Sequence, residues 1–209
     1  AEESPEKVEC FRAPGESADI SEVLKFLLDR TGYIKALEVE GTPEAISRIE
    51  NLQELTNAAR DSRDRAMIFI VSGSKTSTEY RYLPADKPLE TPRVILPREA
   101  EHEYSVDHRG DLFYIRTNQG AKNFRLVTAH VSDPQQKNWK EVIAPRADVK
   151  IDDIDMFANH MVVTELENGL QQLRVVDLKT NKSHRVEFPE PVYTAFVSTN
   201  PELAKGVLR

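Results

Sequence analysis

The sequence predicts a mixed fold, in which a short N-terminal α-helical segment precedes the all-β blades of an incomplete β-propeller. Three observations predict it. Apolar residues recur at helical spacing up to about residue 59. Strand-like runs broken by turn residues replace that spacing after Arg65. Within the second part a four-strand unit recurs at intervals of 44–49 residues, the period of propeller blades. The expected division is residues 1–65 and 66–209.

The helical part is read from its caps and stripes. Ile20, Val23, Leu24, Leu27 and Leu28 lie on one helical face. Asp19 with Glu22 three residues on forms a capping-box pattern, and Gly32 is a left-handed stop. Ile34 to Val39 predicts one or two further turns before Gly41. Thr42-Pro43-Glu44 then opens another helix, with Thr42 as the cap and Pro43 where no amide proton is needed. Ile46, Ile49, Leu52 and Leu55 carry that helix toward Ala59, and the charged run 60–65 (RDSRDR) ends it.

Met67–Val71 and Thr76–Leu83 read as strands around a turn at 72–75, followed by a short strand at Arg93–Leu96 between prolines. Two units then superimpose. The first has strands at 104–107, 112–117, 124–129 and 140–143. The second has strands at 149–155, 161–166, 172–178 and 183–188. Leu112 corresponds to Met161, Phe124 to Leu173 and Val142 to Val186. Val192–Val197 reads as the opening strand of another blade. The count is thus a partial blade before Pro97, two whole blades and a beginning. A ring needs at least four blades, so the open edges invite self-association.

Composition bounds the function. The 209 residues are 39% apolar and 30% charged, which excludes wholesale disorder. All of the net charge of −7 lies in residues 1–64, which hold 15 acidic and 8 basic residues, while the remainder is neutral. Neither part has the basic excess of a nucleic-acid binder. No apolar run is long enough to span a bilayer, and AEESPEKVEC has no secretory pattern. Cys10 is the single cysteine, so no intramolecular disulfide can form. The expected setting is cytoplasmic.

Two stretches resemble known families. LLDRTGYIKALEVEGTPEAISRIENLQELTNAA, residues 27–59, is similar to the accessory insertion subdomain of the UvrD/PcrA family of DNA helicases, within a likeness spanning about 20–62. Its features are Gly32-Tyr33, Thr42-Pro43-Glu44 and the helix from Arg48 to Leu55. The resemblance carries no activity, because the Gly-rich phosphate loop ending in Gly-Lys-Ser/Thr is absent from the sequence. Read as plain chemistry, Arg48, Glu50 and Glu54 are solvated helix charges.

SGSKTSTEYRYLPAD (72–86), VILPREAEHEYSVDHRGDLFYIRTNQGAKNFRLV (94–127), DIDMFANHMVV (153–163) and HRVEFPEPVYTAF (184–196) resemble the propeller of the oligopeptidase B branch of the prolyl-oligopeptidase family of serine peptidases, over about 67–203. The resemblance implies a propeller that caps an α/β-hydrolase domain and restricts it to short peptides. In that branch the hydrolase domain carries a Ser-Asp-His triad and cleaves after Arg or Lys. Its nucleophile sits on a Gly-x-Ser-x-Gly turn. No two glycines of this sequence flank a serine at that spacing; Ser72-Gly73-Ser74 comes nearest, inside a predicted hairpin.

No catalytic, cofactor-binding or metal-binding residue is therefore assigned. His102, His108, His130, His160 and His184 lack ligand spacing and read as turn or edge residues. Asp152, Asp153 and Asp155 read as inter-strand polar partners, since a calcium loop needs a glycine turn and more oxygens. Arg109-Gly110-Asp111 reads as a hairpin turn and Cys10 as a bystander. The leading functional expectation is a non-catalytic peptidase fragment fused to a helicase-like segment, whose natural partner is a hydrolase domain. The alternatives are a propeller-type module that binds a peptide or protein, and a helicase accessory fragment.

Overall fold

The computed structural model describes residues 20–62, 64–87, 90–190 and 192–197. Cys10 and Asp19 lie outside them. Short helices lead into antiparallel sheets that do not close into a ring among the described residues. The chain divides into two compact units, one ending at Thr56 and the other beginning at Asn57.

The first unit holds α1 (Ile20–Thr31), α2 (Tyr33–Glu40) and nearly all of α3 (Pro43–Ala58). The stops act as their chemistry requires. Gly32 and Gly41 both adopt left-handed φ, 63° and 62°, and the Gly41 amide closes α2 on the Leu37 carbonyl. Thr42 caps α3: its Oγ1 accepts the Ala45 amide at 3.1 Å. The buried stripe of α3 differs from the expected one. Ile46 and Leu55 are exposed, whereas Ala45, Ile49, Leu52 and Thr56 turn inward. That face repeats at i, i+4, i+7 and i+11, as a helix permits, but its end members are a small and a polar residue that a hydrophobicity pattern overlooks. Arg48, Glu50 and Glu54 are exposed.

The second unit is three four-stranded antiparallel sheets in chain order. The first is β1 (Ala59–Asp61), β2 (Met67–Gly73), β3 (Thr78–Pro84) and β4 (Arg93–Leu96). The second is β5 (Tyr104–Arg109), β6 (Leu112–Thr117), β7 (Arg125–His130) and β8 (Lys140–Ile143). The third is β9 (Val149–Met156), β10 (His160–Glu167), β11 (Leu170–Asp177) and β12 (Ser183–Arg185). The first blade is thus complete rather than partial. Its extra strand, β1, overlaps the start of the charged run expected to end the helices, with Ala59 paired to Ile70 and Asp61 to Ile68. Three residues at a sheet edge leave almost no alternation to read.

Strand alternation assigns each face to a neighbouring blade. From β6, Phe113 and Ile115 enter the core shared with Phe69, Tyr80, Tyr82 and Ile95 of the first blade. Leu112 and Tyr114 enter the core shared with Ile151, Ile154, Met156 and Met161 of the third. The far face of the third blade buries Phe157, Val162 and Leu173, covered by Phe188, Tyr193, Ala195 and Val197. That covering segment corrects the strand expected at 192–197: among the described residues it has no ladder partner and no strand assignment. Its alternate residues 193, 195 and 197 still face the core, so the pattern reports burial without pairing.

The repeat also needs one correction. Leu112 pairs with His130 and Met161 with Val176, while Ile115 pairs with Val127 and Thr164 with Leu173. Counting along the paired strands from Leu112 and Met161, Leu173 stands where Val127 does, not where Phe124 does. The long 118–124 loop of the second blade is replaced by the two-residue turn Asn168-Gly169 in the third, which shortens the spacing.

Candidate functional site

A serine, an aspartate and a histidine converge beside the first two blades. Ser62 Oγ donates to Asp64 Oδ1 at 2.6 Å, and His108 Nδ1 donates to Asp64 Oδ2 at 2.8 Å. A nucleophilic triad places histidine between serine and carboxylate, so that the imidazole takes the hydroxyl proton. Here the carboxylate stands in the middle. The far nitrogen of His108, Nε2, is buried without a hydrogen-bond partner, and the ring packs edge-on against Phe113 at 5.7 Å. Ser62 Oγ also accepts the Met67 amide at 3.0 Å. The trio therefore clamps the β1–β2 loop onto β5. Burial pushes Asp64 up, but the hydrogen bonds from His108, Ser62 and the Ala66 amide outweigh it and hold the carboxyl below its ordinary value.

Two tyrosines tie the same blades reciprocally. Tyr82 reaches forward and donates to the Val131 carbonyl at 2.9 Å. Tyr104 reaches back, donating to the Leu96 carbonyl at 2.9 Å and accepting the Tyr80 amide at 2.8 Å. Burial pushes the Tyr104 phenol up to about 12.

The second and third blades are joined by cations and an amide. Arg109 donates through Nε and Nη2 to the Ala158 carbonyl, at 3.1 and 2.7 Å. The Arg-Gly-Asp tripeptide is thus a hairpin turn, with Gly110 at φ 62°. Arg116 donates to the Ile151 carbonyl at 2.8 Å and lies 3.7 Å from the Phe124 ring centroid. Asn123 donates to the Arg146 and Ala147 carbonyls, at 3.0 and 2.7 Å.

The most highly charged cluster lies within the third blade. Glu165 is 0% exposed. Arg146 and Arg174 both bond its Oε1, Arg174 through Nε at 3.0 Å and Nη2 at 2.5 Å. Arg185 stands 3.6 Å from Oε2 and is held by Glu167 at 2.6 Å. Three guanidinium groups meet two carboxylates, so the cluster carries one positive charge in excess. Sequence reading missed it because the partners are 19, 9 and 20 positions from Glu165 and come together only through the β9–β12 sheet.

Other residues take plainer places. His102, in the loop before β5, and His108, on the edge strand β5, are both buried: His102 Nε2 shares a hydrogen bond with Thr117 Oγ1 at 2.9 Å. Both still point inward, so a loop or edge-strand position does not by itself mean exposure. His160 stacks on Phe157 at 4.5 Å, while His130 and His184 are exposed. Burial pulls His102 and His160 below the usual imidazole value. Asp152 and Asp153 take partners on their own strand rather than across it. Lys150, on the same strand, binds Asp152 at 2.7 Å, and Asp153 accepts the Ile154 amide at 2.8 Å. A β-bulge sets this, because Asp153 pairs with Thr164 but Ile151 with Glu165, turning residues 152 and 153 both away from the core. Among the described residues no three His, Cys, Asp or Glu side chains are placed to hold a metal ion. Nor is any helix among them long and apolar enough to cross a membrane.

Successive four-stranded meanders with cores shared between neighbours define a β-propeller protein. The chain belongs to the prolyl oligopeptidase N-terminal β-propeller domain family, whose model matches residues 43–208. It is 39% identical over 149 residues to dipeptidyl aminopeptidase BI of Pseudoxanthomonas mexicana, covering 71% of this chain and 20% of that protein. It is 29% identical over 136 residues to protease 2 of Moraxella lacunata, covering 65% of this chain and 19% of that one. In structure it is similar to oligopeptidase B from Trypanosoma brucei with covalently bound antipain, in its closed form. The TM-score is 0.67, with 29% identity over 72% of this chain and 23% of that one. The chain thus spans about a fifth of the length of these relatives. The family match begins at Pro43 and so takes in α3, which lies within the stretch expected to be helicase-like.

Proposed function

We propose that these blades serve a serine peptidase by capping an α/β-hydrolase domain and limiting its access to short peptides, and that they perform no hydrolysis themselves. The observation that carries this reading is the family match over three successive blades. The order of Ser62, Asp64 and His108 supports it, since the carboxylate blocks the proton path a nucleophile needs. Cleavage after Arg or Lys, the preference of the oligopeptidase B branch, belongs to the hydrolase domain that the blades would cover. In this reading residues 1–65 and 66–209 are two pieces, the first of separate, helicase-like origin over about residues 20–62.

The test is association. A family hydrolase domain, produced separately, is mixed with the chain and sedimented. A stoichiometric complex is expected, and no interaction at tens of micromolar would overturn the reading. A second reading, a binding module without a peptidase partner, is favoured by the concave surfaces at the blade ends. One groove of about 650 Å³ is lined by His130, Lys137 and Trp139.

A further inference from the structure

We propose that the groove between the 118–124 and 144–148 loops is a carboxylate-binding site, with Arg146 and Lys122 as its recognition residues and the end of a short peptide as its ligand. The groove, of about 340 Å³, is lined by Gly120, Ala121, Lys122, Asn123, Arg146 and their neighbours. Its only charged lining residues are cationic. Neither Lys122 nor the Nε and Nη1 groups of Arg146 have a hydrogen-bond or ion-pair partner among the described residues. With the second Nη2 hydrogen, either Nε or Nη1 completes a two-donor edge, the pattern that matches the two oxygens of a carboxylate.

The site is built before any ligand arrives. Asn123 bonds the Arg146 and Ala147 carbonyls with its side chain, and its own carbonyl accepts the Ile151 amide at 3.0 Å, so the two walls are pinned together. Fully buried Glu165 takes one Nη2 hydrogen of Arg146, whose side chain stays 33% exposed. Arg174 bonds the same Oε1 and Arg185 stands 3.6 Å from Oε2, so Glu165 is already surrounded by positive charge and Arg146 keeps its attraction for a second anion. Gly120 adopts a left-handed φ of 63° at the rim, with open space where a side chain would begin.

The peptide as ligand rests on the peptidase reading above; the carboxylate chemistry does not. Amide resonances of the full chain are followed during titration with three tripeptides. One has a free C-terminus, one is C-amidated, and one is C-amidated with a glutamate side chain. Saturable shifts at residues 120–123 and 146 with the first are expected, at an affinity of roughly 1 mM. The neutral amidated peptide should produce none. Binding of the glutamate peptide instead would uphold the carboxylate site with a side chain as its source. Arg146→Gln should weaken binding about tenfold, which is about 1.4 kcal/mol. Arg146→Lys, which keeps the charge but loses the fork, should recover part of it. Equal shifts with charged and neutral peptides, or no saturable shift at these residues, would overturn the proposal. Either failure leaves the sedimentation result with the hydrolase domain untouched.

Discussion

The Asp64 carboxylate lies 2.8 Å from His108 Nδ1, and this contact fastens the loop between the first two strands to the second blade. Three partners, His108, Ser62 and the Ala66 amide, converge on a carboxylate whose side chain is 13% exposed. Asp64→Asn removes charge-assisted hydrogen bonds and should cost about 1.5–3 kcal/mol at neutral pH, read by urea unfolding. Because the folded carboxyl titrates below its ordinary value of 3.8, its contribution is complete above that pH and fades as pH falls through the folded value. The gap between wild type and Asp64→Asn should therefore close under acid. A gap unchanged down to that range would show that the contact is not electrostatic.

His102 works on a higher window. Its folded value lies below 6.5, chiefly through burial and against the pull of Glu99. Neutral imidazole is therefore favoured in the fold, and stability falls as pH drops below 6.5 toward the folded value. His102→Gln, which cannot charge, should flatten this part of the stability profile. His160, shifted the same way, leaves a residual slope.

Phe113 is the hinge of the first blade junction. It is fully buried, 4.8 Å from Tyr82 and 6.0 Å from Phe69 by ring centroid. Phe113→Ala should cost about 3–5 kcal/mol. The loss should appear in denaturant midpoints with little change in slope, if the two blades unfold together.

Tyr104 tests the reciprocal tie. Tyr104→Phe removes the hydroxyl that accepts the Tyr80 amide and donates to the Leu96 carbonyl, at a cost of about 1–3 kcal/mol. In the wild type one tyrosine should ionise near pH 12 by ultraviolet difference absorption, and that step should vanish in the variant.

Glu165 is the reverse case, a buried anion among cations. Glu165→Ala strands Arg146 and Arg174 without a counter-charge and should destabilise by about 3–5 kcal/mol. Replacing all three arginines and the glutamate with apolar residues should recover much of that loss, as measured by thermal unfolding.

Blade architecture was legible in the sequence because period-two alternation marks each inward residue, as from Leu112 to Ile115, and because turns such as Gly110 and Asn168-Gly169 recur between strands. The caps Thr42 and Gly41 were equally plain, since one side chain or one φ angle settles them. What escaped depends on partners distant in sequence. β1 is a strand only because β2 offers it a ladder. His108 is buried only because Asp64 stands opposite, and Glu165 gathers arginines from a loop and two strands. The bulge at residues 152 and 153 shifts a register that alternation alone would have carried straight through.

The central claim is that these blades guard a peptidase and do not form one. The measurement is turnover of a chromogenic peptide ending in Arg or Lys by the purified chain, alongside labelling with a serine-directed phosphonate. Neither turnover nor a labelled serine is expected. Hydrolysis that survives stringent purification, with the label on Ser62 or any other serine of this chain, would contradict the account.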